Sequence, residues 1–217
     1  MASTGIYMQF GSGLCGPENW LNFDVSPTLR LQRLPILGRF FKSFEPKFPD
    51  NVLYGDIVRG LPVTSNSCDA IYCSHVLEHL SLVDFRIALK NCFEYLRPNG
   101  RFRFVLPDLE YLATDYVENK TPDASLMFMR NSHLGVYSRP KGIVSRAKGI
   151  FGNSMHLWMW DYKAISCELA EVGFSEIRRA IYGDSGDFHF DSVEDSGRWE
   201  NCLGVDCRKL DSRTSED

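Results

Sequence analysis

The sequence predicts an α/β fold built on a mostly parallel, doubly wound sheet. Short apolar runs alternate with longer segments of helical periodicity, and strands buried on both faces need cover on both sides. Glycines follow the first run, and an acid closes the second. Because ligands of open parallel sheets bind at the carboxyl ends of the strands, this pattern predicts a ligand site beside the first two strands.

Seven segments have the length and the apolar or aromatic composition of strands. They are IYMQF (6–10), WLNFDV (20–25), NVLY (51–54), DAIYC (69–73), RFRFVL (101–106), EIRRAIY (176–182) and CLGVDC (202–207). Only ten residues separate Phe10 from Leu21, and a parallel crossover with its helix needs at least about 10–12 residues. We therefore expect a shortened first crossover, with a turn or loop in the place of the helix.

Three segments between the strands have helical periodicity. Residues 82–97 present one apolar face, and the Pro-Asn-Gly sequence at 98–100 predicts the end of that helix. Residues 108–119 and 161–172 are amphipathic. An aspartate begins the last segment and a glycine follows it, and these residue types commonly cap the two ends of a helix.

The composition narrows the class of protein. With 44% hydrophobic and 13% aromatic residues, a chain of 217 residues can form a packed core. A net charge of −4 argues against a protein that binds nucleic acid through bulk charge. Seven cysteines without a CxxC pair indicate a reduced, intracellular chain. We find neither an apolar run of membrane-spanning length nor a signal peptide, and so we expect a cytoplasmic protein.

We expect one domain over residues 1–210, with insertions at 28–50 and 124–160 and a flexible tail at 211–217. The first insertion is basic and aromatic, which suggests a hydrophobic lid or a homodimer contact; peripheral contact with an anionic membrane is the alternative. The second carries five cations and no acid, which favours an anionic acceptor, with a solvated basic loop as the alternative. The cations are Arg130, Arg139, Lys141, Arg146 and Lys148. By contrast, residues 183–200 hold six acids and one arginine, which suggests a charged ligand face.

The glycines and acids at the strand ends suit a nucleoside. Gly11 and Gly13 follow the first strand, Asp24 ends the second, and Asp56-Ile57 follows the third. An acid at the end of strand two can accept hydrogen bonds from ribose hydroxyls, and an aspartate followed by an aliphatic residue can hold adenine. Turn glycines and solvated acids are the alternative interpretation. A pyrophosphate prefers a full helix N-terminus, which the short crossover does not offer, so a ligand with ribose and adenine but no phosphates is favoured.

Six stretches of the chain resemble a known family. They are FGSGLCGPENWLNFDVSP, YGDIVRGLP, CDAIYCSHVLEHL, LRPNGRFRFVLPDLE, FGNSMHLWMWDY and EDSGRWENCLGVDCRK. Together they resemble the class I S-adenosylmethionine-dependent methyltransferases of the methyltransferase type 11 kind, over nearly the whole chain. The resemblance implies a Rossmann-like sheet of seven strands whose last strand is antiparallel to the others.

The resemblance also implies a set of cofactor-binding residues. The two glycines would flank the methionine part of S-adenosylmethionine, the first acid would bind ribose, and the Asp-Ile pair would hold adenine. A serine and a histidine at the end of strand four would face the methionine part and the reaction centre. The set is Phe10, Gly11, Gly13, Asp24, Asp56, Ile57, Ser74 and His75. The chain departs from the family in FGSG, where Phe10 replaces a smaller residue without removing a polar group.

Three residues are candidates for catalysis. If the acceptor is a hydroxyl, a general base is useful, and histidine is suited to that role near neutral pH. His75 is the first candidate, since it follows strand four beside the cofactor, and His156 is the second. Asp108, after strand five, is the third, although a helix cap is the more usual role for an aspartate at such a position.

One motif offers a different chemistry. His75-Val76-Leu77-Glu78-His79 matches H-x-x-E-H, the inverted zinc-peptidase signature. In a helix, His75 and His79 would share a face as zinc ligands and Glu78 would activate water. His75 closes a strand, however, and no third ligand is evident at a helical spacing. We therefore expect no metal, with His79 packed or capping at the helix start, and keep a zinc hydrolase as an alternative.

The sequence thus predicts a methyltransferase that uses S-adenosylmethionine to methylate an oxygen of a small acceptor. A saccharide, a sugar phosphate or a sugar nucleotide fits the basic insertion, and glycan biosynthesis is suggested by analogy alone. A protein that binds the cofactor without turnover is the alternative function. We expect neither nucleic acid nor a membrane span among the partners, and a homodimer through 28–50 stays open.

Overall fold

The protein is described by a computed structural model over residues 5–35, 45–136 and 155–211. Its centre is a seven-stranded sheet with the order β3-β2-β1-β4-β5-β7-β6. The strands are β1 (Ile6–Phe10), β2 (Leu21–Asp24), β3 (Val52–Tyr54), β4 (Cys68–Ser74), β5 (Leu96–Pro107), β6 (Ser175–Ala180) and β7 (Cys202–Arg208). Only β7 runs antiparallel to its neighbours β5 and β6. The predicted fold class is confirmed, including the antiparallel last strand.

Five α-helices lie among the described residues. They are α1 (Pro27–Gln32), α2 (Leu82–Tyr95), α3 (Leu109–Glu118), α4 (Ala124–Asn131) and α5 (Tyr162–Val172). Helices α2, α3 and α5 were predicted, and α5 has both predicted caps: Asp161 accepts a hydrogen bond from the Ala164 amide, and Gly173 adopts a left-handed conformation. Helices α1 and α4 lie in the two insertions and were not predicted.

The junction between α2 and β5 differs from the prediction. The helix ends at Tyr95, before the Pro-Asn-Gly sequence, and β5 begins at Leu96. The Lys209 ammonium group donates to the carbonyls of Phe93 and Leu96 at 2.8 and 2.9 Å. Because a cation satisfies carbonyls at the helix end, the helix can stop two residues earlier than its apolar pattern suggests.

The first crossover has no helix, as its length predicted. Residues 11–20 form turns that are held by a buried pair of amide side chains, in which Gln9 donates to the Asn22 oxygen at 2.7 Å. Gln9 also donates to the Cys15 carbonyl, and Asn22 donates to the Pro17 carbonyl, both at 3.0 Å. These bonds satisfy loop carbonyls that a helix would have satisfied internally.

The two faces of the sheet are covered differently. The larger core lies on the face where Phe102 and Phe104 pack beneath α2 and α5. A smaller core, with Trp20, Phe190 and Trp199, covers the opposite face. Its cover comes from two 3-10 turns, Phe188–Ser192 and Ser196–Arg198, together with the loop of the first crossover. The acidic segment 183–200 therefore takes the place that the missing crossover helix leaves.

The insertion at 28–50 is described at its two ends. Gln32, in α1, donates to the Pro46 carbonyl at 3.0 Å, and Arg33 donates to the carbonyl of Val52 at 3.1 Å. The first bond joins the two described ends of the insertion to each other, and the second joins its start to β3. The apolar residues on which the predicted lid, dimer or membrane contact rests fall mostly in 36–44, outside the described residues. No described helix is both long and apolar enough to span a membrane.

Candidate functional site

The turn after β1, residues 11–13, which we call the glycine turn, lies against the turn after β4. Gly11 has φ +66°, and a Cβ atom built there would lie 2.1 Å from Cγ2 of Val76. Only glycine allows this close approach. Gly13 also has a left-handed conformation, with φ +55°, but a Cβ atom there would meet nothing within 4 Å. The first glycine therefore joins the two strand ends, and the second borders open space.

Asp24 is fixed at the end of β2 by backbone amides. Its Oδ2 atom accepts a hydrogen bond from the Gly13 amide at 2.9 Å, and Oδ1 accepts one from the Ser26 amide at 2.7 Å. The residue is only 9% exposed. Each carboxylate oxygen has more than one acceptor position, so the group can still accept hydrogen bonds from a ligand while it holds the glycine turn.

The predicted adenine-binding pair follows β3. Asp56 Oδ1 accepts a hydrogen bond from the Val58 amide at 2.9 Å, and Oδ2 lies 3.4 Å from Nε of Arg59. Ile57 is buried in the larger core, and its carbonyl accepts a hydrogen bond from Asn91 at 2.6 Å. The structure therefore orders this turn firmly, with the Asp56 carboxylate more exposed than the Ile57 side chain.

Phe10 and Ser74 both end a strand at the carboxyl edge of the sheet, but they present different groups to a ligand there. The Phe10 side chain packs in the larger core, with its ring centroid 6.5 Å from that of Phe102. A ligand at the edge would therefore meet its backbone and not its ring. The Ser74 hydroxyl is buried and has no hydrogen-bond partner among the described residues.

A cavity of about 200 Å³ lies between the glycine turn and the acidic segment. Gly11, Ser12, Ser74 and Arg198 are among its lining residues. The Ser12 hydroxyl, like that of Ser74, is buried without a partner in the described chain, and such groups usually mark a site for water or a ligand. Drug-sized ligands occupy about 300–1,000 Å³, so this cavity can hold only part of a larger ligand. Ser12 and Arg198 were not predicted, although both lie in motifs on which the family resemblance rests.

His75 occupies a constrained position after β4. Its backbone has φ +54°, its Nε2 atom lies 2.9 Å from the Arg198 carbonyl, and its Nδ1 atom lies 3.3 Å from Oε1 of Glu78. Burial acts to lower the pKa of His75, but polar contacts with Cys202, the Glu78 carboxylate and the Arg198 carbonyl outweigh it and raise the pKa to about 10. Both ring nitrogens face acceptors, so the imidazole has no free lone pair. This geometry favours a positioning role for His75, and its predicted role as a general base stays a prediction.

Asp108 has a structural task. Its Oδ1 atom accepts a hydrogen bond from the Glu110 amide at 2.9 Å and so caps α3. Its Oδ2 atom pairs with Nη1 of Arg179 at 3.2 Å. The alternative interpretation as a helix cap therefore describes the residue better than the catalytic one.

A third group of side chains converges beside the turn after β4. One ligand atom from each of Glu78, His79 and His156 lies within 4.8 Å of the other two. The segment with His156 is held there because the amides of Leu157 and Trp158 donate to the Glu78 carbonyl at 2.8 and 3.2 Å. We refer to Glu78, His79 and His156 as the Glu-His-His cluster.

The members of the Glu-His-His cluster are poorly satisfied by hydrogen bonds. Both carboxylate oxygens of Glu78 and the Nδ1 atom of His156 are buried without a hydrogen-bond partner among the described residues. Burial is the main cause that lowers the pKa of His156, and the neighbouring His79 and His133 add to it against the opposing effect of Glu78. His156 was predicted as a candidate base, whereas its proximity to Glu78 was not.

The H-x-x-E-H motif does not adopt the arrangement that its sequence suggested. His75 is not helical, and only Leu77–His79 forms a short 3-10 turn. The His75 ring points to the Arg198 carbonyl. Glu78 and His79 meet His156 instead, which supplies the third side chain that the spacing of the motif did not reveal.

Most of the basic side chains expected near an acceptor fall outside the described residues. Of the five cations in 124–160, Arg139, Lys141, Arg146 and Lys148 lie in the range 137–154, which the structure does not describe. Arg130 lies in the last turn of α4 and is exposed. The prediction of an anionic acceptor is therefore untested.

Comparisons with known proteins agree with this architecture. Residues 36–104 match the family model described as methyltransferase domain. A solved chain from the complex between the Haloferax volcanii Trm112 methyltransferase activator and a methyltransferase is 14% identical, with a TM-score of 0.50 over 96% of this chain and 84% of that one. A SAM-dependent methyltransferase from Archaeoglobus fulgidus is 13% identical, with a TM-score of 0.49 over 94% and 86% of the two chains. A comparison with curated proteins found no match.

Proposed function

We propose that the chain is a class I S-adenosylmethionine-dependent methyltransferase, which the match of residues 36–104 to a methyltransferase domain supports, and that it methylates a hydroxyl oxygen of a small acceptor. Saccharides, sugar phosphates and sugar nucleotides are the favoured acceptor classes, and glycan biosynthesis is the corresponding process. When bound, S-adenosylmethionine supplies a methyl group on a cationic sulfur; transfer to a hydroxyl oxygen leaves S-adenosylhomocysteine and releases the hydroxyl proton.

The cofactor is proposed to lie along the strand ends from β4 to β3. The methionine part would meet the backbone at Gly11 and Gly13 and enter the cavity beside Ser12 and Ser74, whose buried hydroxyls lack partners. Arg198, which also lines the cavity, suits the carboxylate of an amino acid. The nucleoside would lie on the other side of the glycine turn. There Asp24 would accept hydrogen bonds from the ribose hydroxyls, and Asp56 would accept one from the adenine amino group.

The observation that carries the choice of a hydroxyl acceptor is the Glu-His-His cluster. A hydroxyl group must lose its proton during methyl transfer, and a general base assists that loss. A carbon or sulfur nucleophile of low pKa depends less on such a base. Glu78 lies in the short 3-10 turn that follows β4, and both its carboxylate oxygens and Nδ1 of His156 have no hydrogen-bond partner among the described residues. They provide acceptors to which a hydroxyl group can be held and its proton passed. His75 is proposed to position Glu78, since it lies 3.3 Å from that carboxylate.

Two weaker observations bear on the acceptor and on the compartment. Arg130 is exposed at the end of α4, and together with the other cations of 124–160 it favours an anionic group on the acceptor. All seven cysteines are free thiols, which fits a reducing compartment, and we propose a cytoplasmic site of action.

The test is a turnover assay that detects S-adenosylhomocysteine with separate pools of sugar nucleotides, sugar phosphates, neutral oligosaccharides and non-sugar metabolites. We expect turnover with a sugar-containing pool and an O-methyl product by NMR. Calorimetry with the cofactor accompanies it. Binding without turnover in any pool would favour the non-catalytic alternative. Absence of binding up to about 1 mM, the upper end of ordinary KM values, would contradict both functions.

A matched pair of variants separates the cluster from a general loss of folding. His156→Gln should reduce kcat by roughly 10²–10⁴-fold, the usual contribution of proton transfer, with little change in cofactor affinity. His189→Gln is the control, because His189 stacks on Tyr7 at 4.0 Å on the opposite face of the sheet. Equal turnover in the two variants would exclude a role for His156.

A further inference from the structure

We propose that Glu78, His79 and His156 bind a divalent transition-metal ion with an open coordination position. The binding site rests on the geometry of the Glu-His-His cluster alone. The role of the ion rests on the proposed function, because the open position would hold the acceptor oxygen.

The cluster is close to the dimensions of a metal site. Its three ligand atoms lie within 4.8 Å of one another, and Nε2 of His79 lies 3.9 Å from Oε1 of Glu78. Zinc bonds to nitrogen and oxygen are about 2.0–2.2 Å long, so ligand atoms around one ion lie roughly 3–4 Å apart. Small side-chain rotations would therefore bring the three atoms around a common centre.

The two histidines are oriented as metal ligands usually are. His79 lies with Nδ1 3.0 Å from the Met155 carbonyl, and a proton on Nδ1 leaves the lone pair on Nε2, the atom that faces Glu78. The His156 ring is buried, and its Nδ1 atom has no hydrogen-bond partner among the described residues. Metal-binding histidines commonly donate their second ring N–H to a backbone carbonyl, which fixes the ring and the tautomer.

The burial of Glu78 is the second independent observation. Its side chain is 1% exposed, and neither carboxylate oxygen has a hydrogen bond from the described residues. A buried carboxylate without hydrogen bonds is costly unless it is paired or coordinates a metal. The Nδ1 atom of His75 lies 3.3 Å from Oε1 of Glu78, which leaves the other carboxylate oxygen without such a contact. A metal ion would satisfy the carboxylate and the unpaired nitrogen of His156 together.

The ligand set points to a class of ion. Imidazole nitrogens favour zinc, iron, nickel or copper, whereas magnesium and calcium prefer oxygen ligands. Two histidines and one glutamate are three protein ligands, and catalytic zinc sites with three protein ligands keep a fourth position for water or substrate. His75 is not part of the set, because its Nε2 atom is engaged with the Arg198 carbonyl. The site therefore differs from the one that the H-x-x-E-H motif suggested.

The position of the cluster gives the ion a function in methyl transfer. Val76 lies between His75 and the 3-10 turn of Glu78 and His79 in sequence, and it touches the glycine turn at Gly11. An ion in the cluster would thus lie at the sheet edge that carries the proposed cofactor site. A metal ion lowers the pKa of a bound oxygen and orients it, so the acceptor hydroxyl would give up its proton to solvent more readily. With the lone pairs of Glu78 and His156 on the ion, this route would replace direct proton transfer to those two side chains.

The first experiment measures binding of zinc without any activity. The protein is stripped with a chelator, incubated with Zn²⁺, dialysed and analysed for retained metal. Because Cys167 is exposed and thiolates bind zinc, all measurements use a Cys167→Ser background. We expect one equivalent of tightly held zinc. Glu78→Gln and His156→Gln should each weaken binding by more than the roughly 10–100-fold that the loss of a second-shell partner costs, while His189→Gln should retain the equivalent.

Thermal unfolding shows whether each variant is folded and whether it binds zinc. Zn²⁺ that binds only the native state raises the melting temperature, so the background protein should shift and the two ligand variants should not. If Glu78→Gln fails to fold, His156→Gln carries the comparison. A background protein that retains no zinc would overturn the site. Equal retention by the ligand variants would also overturn it, since the ion would then be held elsewhere.

A second experiment separates this inference from the proposed function. Turnover is compared in metal-free and zinc-loaded protein, with cofactor affinity measured on both. Loss of turnover on chelation, with cofactor affinity retained, supports the role of the ion. Full turnover without metal and in Glu78→Gln would overturn that role and leave the methyltransferase function intact. Stoichiometric zinc binding without turnover in any acceptor pool would contradict the proposed function and support the site.

Discussion

Arg103 and Glu194 form an ion pair from which water is excluded, with side chains that are 0% and 1% exposed. The guanidinium group also donates to Asp184 at 2.8 Å and to Asp206 at 3.1 Å. Burial disfavours the charged form, but the hydrogen bonds to Glu194 and Asp184 outweigh it and raise the pKa of Arg103. The acidic segment was predicted to be a ligand face, and it lines the cavity beside the turn after β1; two of its acids also bind a buried cation of β5 and attach the segment to the sheet.

Removal of one partner from this buried pair should be costly. Glu194→Ala leaves the Arg103 charge without its closest partner, and breaking a buried pair in this way typically costs about 3–5 kcal/mol. Urea unfolding at pH 7 would measure the loss. Glu200→Ala is the control: Glu200 is exposed in the same segment, and such surface changes usually stay within about 0.5 kcal/mol. Similar losses in both variants would show that the pair does not anchor the segment.

The same network predicts a dependence of stability on acid. Burial acts to raise the pKa of Asp184, but hydrogen bonds from Arg178 and Arg103 lower it below its ordinary value. A carboxyl group with a lowered folded-state pKa stabilises the fold above its unfolded pKa of about 3.9. That contribution is lost as the pH falls through the folded-state value. Stability measured from pH 7 down to pH 2 should therefore fall more steeply in the wild type than in Asp184→Asn, and parallel curves would contradict this assignment.

Local sequence patterns predicted the strands, the caps of α5 and the first crossover. The predicted segments located all seven strands. Central strands such as β4 and β7 are buried along almost their whole length and give a clear apolar signal, whereas the edge strands β3 and β6 are only partly buried. Asp161 and Gly173 marked the ends of α5, because cap chemistry is local. The spacing between Phe10 and Leu21 predicted the crossover without a helix. Arg103 was read as one more position in a buried strand, and its partners were hidden because they lie 81–103 residues away.

Only the part of the candidate site that depends on local sequence could be predicted. The turn residues at the ends of β1, β2 and β3 follow from order along the chain, since parallel strands bring their carboxyl ends to one edge. The approach of His156 to Glu78 depends on backbone bonds between residues 157–158 and the Glu78 carbonyl. Those bonds join segments almost 80 residues apart, and no spacing in the sequence encodes them. The motif around Glu78 was visible, but its third member was not.

The contact between Gly11 and Val76 predicts a steric effect that can be rescued. Gly11→Ala places a methyl group 2.1 Å from Cγ2 of Val76 in a backbone conformation with φ +66°, so we expect a lower melting temperature and weaker cofactor binding. Val76→Ala removes the clashing methyl groups and should restore part of both losses in the double variant. Gly183→Ala, at φ +75° with open space around it, measures backbone strain alone. A double variant no better than Gly11→Ala would show that the clash is not the cause.

Asp24 should control cofactor affinity more than stability. Its carboxylate is held by the amides of Gly13 and Ser26, and in the proposed complex it also accepts hydrogen bonds from the ribose. Hydrogen bonds to a charged group contribute about 1.5–3 kcal/mol, so Asp24→Ala should weaken binding of S-adenosylmethionine by roughly 10- to 150-fold in calorimetry. Asp50→Ala is the matched control, because Asp50 is fully exposed and only 3.7 Å from Arg33. Circular dichroism would verify that both variants fold. If Asp24→Ala folds and binds the cofactor as the wild type does, the ribose lies elsewhere, and the nucleoside must be assigned to a different strand end.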